Sequence, residues 1–552
     1  MKKNTIRTAA LTISFGVLCS ALTSCGSSNE APATDGNYRP KTDSYSNYSP
    51  EAENYDVYEA PAAADECYGG YYEEYPVQPS PDEEYDSPAE GGFKDPKAEP
   101  LSTFSADVDT ASYSNVRRLI EDGSFVPEDA VRAEEFINYF DYDYPDPEEG
   151  KFSQYVEIGD CPWNASHKLM MVGLQGKRLD QKEVPPSNLV FLIDSSGSMG
   201  TYDKLPLVQN AFSMLAENLT KDDRISIVTY AGSSSTLIKG ASGKDKDDIL
   251  EALYSITASG STNGEGGINT AYELAEKYFI EGGNNRIILA TDGDLNVGAS
   301  STEELTELIE SKRDKGIYLS VLGFGTGNYK DARMEALADN GNGNYSYIDS
   351  VDEAHRVLVE EMSGTLYTIA KDVKIQVEFN PSQIASYRLI GYDNRLMAAE
   401  DFYDETKDAG EVGAGHSVTA LYEVELVSDG GTYHGIDLEF ADQHAQPLEY
   451  KTDKENERKE LCKLSLTYKD TDTNEDIYDS QLFGMEKYSN TPSDRLKLAG
   501  AAAEFAMILK DSEYKGSSDY SYVTKTANQL ADTSEKAAEL AELSKTASSL
   551  FS

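Results

Sequence analysis

Between residue 188 and about residue 363 the chain alternates short apolar runs with helical patterns, and this alternation restricts the fold more than any other feature. The apolar runs are 188–193, Arg224–Tyr230, 286–290 and 318–324; the helical patterns span 204–219, 246–255, 267–280 and 302–315. Near-continuous apolar strands separated by helices predict a mostly parallel sheet covered on both faces, a doubly wound α/β layer. A further run at 234–239 follows Arg224–Tyr230 after a turn too short for a crossover. It is expected as an antiparallel edge strand.

Beyond residue 370 the period changes to two. Val373, Ile375, Val377 and Phe379 alternate with polar residues, as do Val418, Ala420, Tyr422, Val424 and Leu426, and Cys462, Leu464, Leu466 and Tyr468. Half-buried strands of this kind predict a β-sandwich-like domain over 370–485, followed by alanine-rich helices in 490–552. Asp470-Thr-Asp472-Thr-Asn474 resembles the start of a calcium loop. It has Glu475 and Gln481 where such a loop needs glycine and glutamate, so an acidic hairpin turn is expected. Two strand-like runs, 155–158 and 168–174, precede the α/β layer within 151–186. That pair is too small to fold alone and is expected to join the later sheet, which makes 187–363 an insertion in the β-domain. Residues 101–150 are read as a small helical module, with Asp109 and Thr110 as N-caps of a helix over 111–121 and a second helix over 130–140.

The N-terminus reads as an export signal. Lys2, Lys3 and Arg7 precede a short apolar stretch, which ends in Leu22-Thr23-Ser24-Cys25. Those residues resemble the bacterial lipobox. The resemblance implies that 1–24 is a lipoprotein signal peptide, that Cys25 carries the lipid, and that the protein is extracytoplasmic, lipid-anchored to a bacterial membrane in the cell envelope. No other run of 18 or more apolar residues occurs, so the lipid would be the only anchor. Residues 25–100 are read as a disordered acidic linker rich in Tyr and Pro. Between Thr42 and Phe93 there is no Lys or Arg, against 14 Asp or Glu and nine Tyr. The net charge of −50 argues against nucleic acid as a partner and favours divalent cations and basic surfaces. Of five cysteines, Cys19 leaves with the signal and Cys25 is lipidated. Cys67, Cys161 and Cys462 remain, and a Cys161–Cys462 bridge stays open.

The candidate site lies at strand ends. The first strand of the α/β layer ends in Asp194-Ser195-Ser196-Gly197-Ser198-Met199-Gly200, and run 286–290 ends in Thr291-Asp292-Gly293. Gly260-Ser261-Thr262-Asn263 lies between them, just before a helix. Ligands of open α/β sheets bind at the carboxyl ends of strands. Two carboxylates and three hydroxyls are hard oxygen donors, suited to Mg²⁺, Mn²⁺ or Ca²⁺ rather than Zn²⁺. So few carboxylates leave a divalent ion under-neutralised and attractive to an outside anion.

Asp194, Ser196, Ser198, Thr262 and Asp292 together resemble the metal-ion-dependent adhesion site of von Willebrand factor A domains, with their Rossmann-like sheet. Phe324-Gly-Thr-Gly327 and Gly343-Asn344-Tyr345 match the same pattern. The resemblance implies that Ser196, Ser198 and Thr262 contact the metal, that Asp194 and Asp292 act directly or through water, and that one position is left for an Asp or Glu carboxylate of a protein ligand. The likeness extends further. Ser102 to Tyr113, Val131 to Phe140 and the β-then-helix tail resemble a family of bacterial lipoproteins that combine an N-terminal module, an A domain and a distinct C-terminal domain. The function so implied is metal-dependent protein binding or adhesion. An envelope scaffold or assembly factor that leaves the metal site unused is the alternative, and a hydrolase comes third. None of His167, His355, His416, His434 and His444 lies in a strand-end loop, and no Gly-x-Ser-x-Gly elbow or phosphate-binding Gly-Lys-Ser/Thr loop occurs, so no catalytic residue is assigned.

Overall fold

The computed structural model describes residues 78–85, 89–179, 184–262, 264–293, 302–327, 329–361, 364, 366–427, 448–450 and 459–551. The expected signal peptide, Cys25, Cys67 and most of the expected linker lie outside the described residues.

In chain order the first elements are β1 (Leu101–Ser105), α1 (Ala111–Glu121), α2 (Ala133–Asn138), β2 (Phe152–Asp160) and β3 (Lys168–Gly176). The α/β layer follows as β4 (Ser187–Asp194), α3 (Leu205–Asn218), β5 (Arg224–Tyr230), β6 (Ser234–Ser242), α4 (Lys246–Tyr254), α5 (Gly264–Lys277), β7 (Asn284–Thr291), α6 (Thr302–Arg313), β8 (Ile317–Phe324), α7 (Asp331–Asn340), β9 (Tyr345–Ile348) and α8 (Val351–His355). Then come β10 (Thr368–Phe379), β11 (Ile384–Ile390), β12 (Leu396–Met397), β13 (Val412–Gly413), β14 (Ser417–Leu426), β15 (Glu460–Asp470), β16 (Asp476–Gly484), α9 (Asp494–Leu509), α10 (Tyr520–Leu530) and α11 (Glu535–Phe551).

The inserted layer has strand order β6-β5-β4-β7-β8-β9, parallel except for the antiparallel edge strand β6. β4 and β7 are buried along their whole length, which explains their unbroken apolar runs. The chain enters and leaves this layer at one place: the Ser187 hydroxyl lies 3.4 Å from that of Tyr367. Both neighbouring sheets are completed across the insertion. β3 pairs with β14 in the order β11-β14-β3-β2, while β10 sits between β1 and β15 in the other sheet. Phe104, Ile375 and Leu464 of one sheet meet Val172 and Val418 of the other in a common core. The opposite face of the β3–β14 sheet is covered by helices, with Leu169, Met171 and Leu421 packed among Phe136, Leu496, Phe505 and Leu540.

Several expectations need correction. Residues 101–150 are not purely helical, because Leu101–Ser105 is a strand of the β-domain. Asp109 does not cap α1. Its Oδ1 instead accepts the backbone N–H of Tyr345 at 2.8 Å, and its carboxylate faces Arg395. The end of the expected linker is held to the body. The Glu84 N–H donates to the Tyr329 carbonyl at 3.0 Å, and the Lys94 N–H to that of Tyr387 at 2.8 Å. Cys161 and Cys462 are buried free thiols, so the open bridge does not form. Asp470 does close a hairpin turn, its Oδ1 accepting the N–H groups of Asp472 and Thr473.

The helical module and the inserted layer share a buried ion network. Arg132 donates to Glu135 and Glu335 at 2.9 Å each and pairs with Asp331, while Arg395 bonds Asp339 at 2.8 Å and Glu335 at 2.9 Å. α7 is thereby clamped to both neighbours, because a buried carboxylate left without its guanidinium costs about 3–5 kcal/mol.

Candidate metal centre

The site forms where β4 and β7 end side by side. Their parallel register pairs Ile193 with Ala290, so Asp194 and Asp292 emerge at adjacent strand ends. Beyond Asp194 the chain turns into a short 3₁₀ segment, Gly197–Gly200, before α3. That turn is tied to the Thr262 loop by two backbone bonds: Gly197 N–H to the Gly260 carbonyl at 3.0 Å, and Ser259 N–H to the Ser195 carbonyl at 2.8 Å. Gly260 has φ of +81°, which the loop needs to bend back toward β4. Gly293, after Asp292, has φ of +99° and donates its N–H to Thr291 Oγ1 at 3.2 Å.

Asp194 is fully buried. Its Oδ1 accepts the Ser196 N–H at 2.8 Å, which fixes the carboxylate plane. Its Oδ2 makes no well-formed hydrogen bond, and the buried Tyr230 hydroxyl lies close to this carboxylate and to Thr291. Burial pushes the Asp194 carboxyl up to about 6, and the charge of Asp292 adds to the rise. The Ser196 and Ser198 hydroxyls stand 2.9 Å apart, Ser196 buried and Ser198 exposed. Thr262 is half-buried. Asp292 is buried and accepts a hydrogen bond from Lys204 Nζ at 3.0 Å.

This donor set fits a divalent cation. A buried carboxylate oxygen without a partner is costly unless something neutralises it. Among the described residues no cluster of three or more His, Cys, Asp or Glu could hold a metal. A cation here would therefore be held by the mixed set of carboxylates and hydroxyls. Asp194, Ser196, Ser198, Thr262 and Asp292 would hold it, and the ion would supply a positive charge at the mouth of the sheet. Two neighbours escaped the sequence reading. The sequence pattern makes Lys204 the first residue of a helix, and nothing in that local pattern marks it as buried. Tyr202, in the turn before α3, is 88% exposed. It borders a groove of about 640 Å³ lined also by Gly325, Thr326, Arg118 and Glu539, so α1 and α11 come up beside the strand-end face.

Comparison with known proteins places these domains in families. The von Willebrand factor type A domain family matches residues 188–360, and a von Willebrand factor family matches residues 79–171. The family described as uncharacterized protein YfbK, C-terminal, matches residues 364–550. Uncharacterized protein YfbK of Escherichia coli (strain K12) is 42% identical over 441 residues, covering 78% of this chain and 74% of its own length. Inter-alpha-trypsin inhibitor heavy chain H3 of Homo sapiens is 30% identical over 263 residues, 44% of this chain and 29% of its own. Among solved structures, von Willebrand factor type A from Catenulispora acidiphila covers 71% of this chain and 89% of its own at 14% identity and a TM-score of 0.38.

Proposed function

The chain belongs to the family of bacterial von Willebrand factor A domain proteins that includes YfbK, and from that premise we propose that it is a metal-dependent binding protein of the cell envelope. One observation carries the reading: the buried Asp194 carboxylate, whose Oδ2 makes no well-formed hydrogen bond, lies at a strand end that also presents the Ser196 and Ser198 hydroxyls. A Mg²⁺ or Mn²⁺ ion, or Ca²⁺, held there by two carboxylates keeps affinity for a third. The ligand is a protein that presents an Asp or Glu side chain. The role is read as binding and not catalysis, since among the described residues no histidine is a hydrogen-bond partner of Ser196 or Ser198. A second reading, an envelope scaffold that leaves the site unloaded, is favoured by the Lys204–Asp292 pair, which already neutralises one ligand.

Calorimetric titration of Mn²⁺ or Mg²⁺ into the mature chain tests the site. Ser196→Ala with Ser198→Ala removes two neutral donors and no charge, and affinity is expected to fall roughly 100-fold or more. Unchanged binding in the double variant rejects the assignment.

The Leu22-Thr23-Ser24-Cys25 sequence supports lipid attachment at Cys25, and no described helix is long and apolar enough to cross a membrane. Cys25→Ser is expected to move the protein from the membrane to the soluble fraction or to block its processing. Equal membrane association of the variant would place the anchor elsewhere.

A further inference from the structure

We infer that Lys204 is a built-in counter-cation of the metal centre: its ammonium occupies Asp292 when no divalent ion is bound, and it weakens the site's hold on the ion while strengthening its hold on the ligand carboxylate. This rests on the metal-centre reading above.

The lysine is placed by construction. Its Nζ donates to Asp292 Oδ2 at 3.0 Å, and the two side chains are 7% and 0% exposed. A lysine is rarely buried this far without a dedicated partner. Its backbone is pinned on both sides, the N–H to the Thr201 carbonyl at 3.2 Å and the carbonyl accepting the Val208 N–H at 2.9 Å. Its stem crosses Gly325, whose φ is +70° and where a Cβ would stand 2.3 Å from Lys204 Cγ and Cε. The Phe324-Gly-Thr-Gly327 loop thus opens the channel through which the ammonium reaches the site.

Charge arithmetic gives the consequence. Within the trio Asp194, Asp292 and Lys204 the ammonium offsets one of two carboxylate charges, so it opposes a divalent ion and favours an incoming carboxylate. The ion and the carboxylate should therefore bind cooperatively, each weakly alone. Without Lys204 that opposing charge is gone. The ion then binds more tightly and the carboxylate loses its attraction.

The test uses the mature chain, with Mn²⁺ and then acetate as a monocarboxylate probe. In Lys204→Met, Mn²⁺ affinity is expected to rise at least about tenfold and Mn²⁺-dependent acetate binding to fall by a similar factor. Lys204→Arg keeps the wild-type order. A second pair of variants guards against loss of folding. Asp292→Asn alone leaves the lysine facing the ion, and Asp292→Asn with Lys204→Met should bind Mn²⁺ about tenfold or more tightly than Asp292→Asn. If wild type binds Mn²⁺ and removing Lys204 leaves affinity unchanged or lower in both pairs, the inference is overturned and the metal centre stands. If wild type and Ser196→Ala/Ser198→Ala titrate alike, the metal centre itself fails.

Discussion

A fragment of residues 364–551 expressed alone is expected to aggregate or remain unfolded, and coexpression with residues 89–179 is expected to recover a soluble complex. The fragment contains the whole matched C-terminal family region, residues 364–550, yet it lacks β1 from one of its sheets and β2 and β3 from the other. β10 loses β1, which pairs with it from Leu101–Glu378 to Ser105–Lys374, and β14 loses β3, paired from Ser417–Gln175 to Val424–Lys168. Two long strands thereby become bare edges, templates for association between chains. The core loses Phe104, Phe136, Trp163, Leu169, Met170, Met171 and Val172, all buried. At about 2 kcal/mol for each fully buried side chain, that loss matches or exceeds the 5–15 kcal/mol that holds a typical domain together. Size-exclusion chromatography with thermal melting by circular dichroism decides the matter. A monomeric 364–551 fragment with a cooperative melt would show that the early strands are accessory.

The parts of the fold legible in the sequence are those whose environment is uniform along the element. β4, β5, β7 and β8 are covered on both faces, so they read as apolar runs whatever lies around them. β14 alternates in sequence although Val418 to Val424 are all buried and not half-buried as expected: Val418, Ala420, Tyr422 and Val424 face the other sheet, while Thr419, Leu421 and Glu423 are buried on the opposite face, under the helices. β1 was missed since Ser102 and Thr103 are buried along with Phe104, which erases the alternation, and its partner β10 lies more than 260 residues away. Asp109 looked like a helix cap because a carboxylate before a helix usually is one. Here the N–H of Tyr345, brought alongside by β9, takes that oxygen. The aspartates and hydroxyls of the site were legible because they sit at strand ends in sequence as well as in space. Lys204 was not, for its burial depends on Gly325, a residue 121 positions later on a different strand end. Tyr202 was equally silent, since exposure of one aromatic in a loop has no sequence signature.

Partner binding should depend on the ion almost completely. The ion would set a positive charge between the strand-end oxygens and an incoming carboxylate, while Lys204 is turned inward to Asp292. Removing the ion leaves the mouth of the sheet with a net negative charge and the ligand carboxylate with nothing to bind. Tyr202, exposed in the turn before α3, carries no charge that could replace the ion. Loss of the bridge should therefore weaken binding by roughly 100-fold or more, near 3 kcal/mol. The most direct measurement immobilises the mature chain and captures proteins from detergent-solubilised envelope extract in Mg²⁺, in chelator, and in Mg²⁺ with Ser196→Ala/Ser198→Ala. The account predicts a band retained by wild type in Mg²⁺ and lost both in chelator and in the variant, with the circular dichroism of the variant unchanged. Equal retention of that band under all three conditions would contradict it.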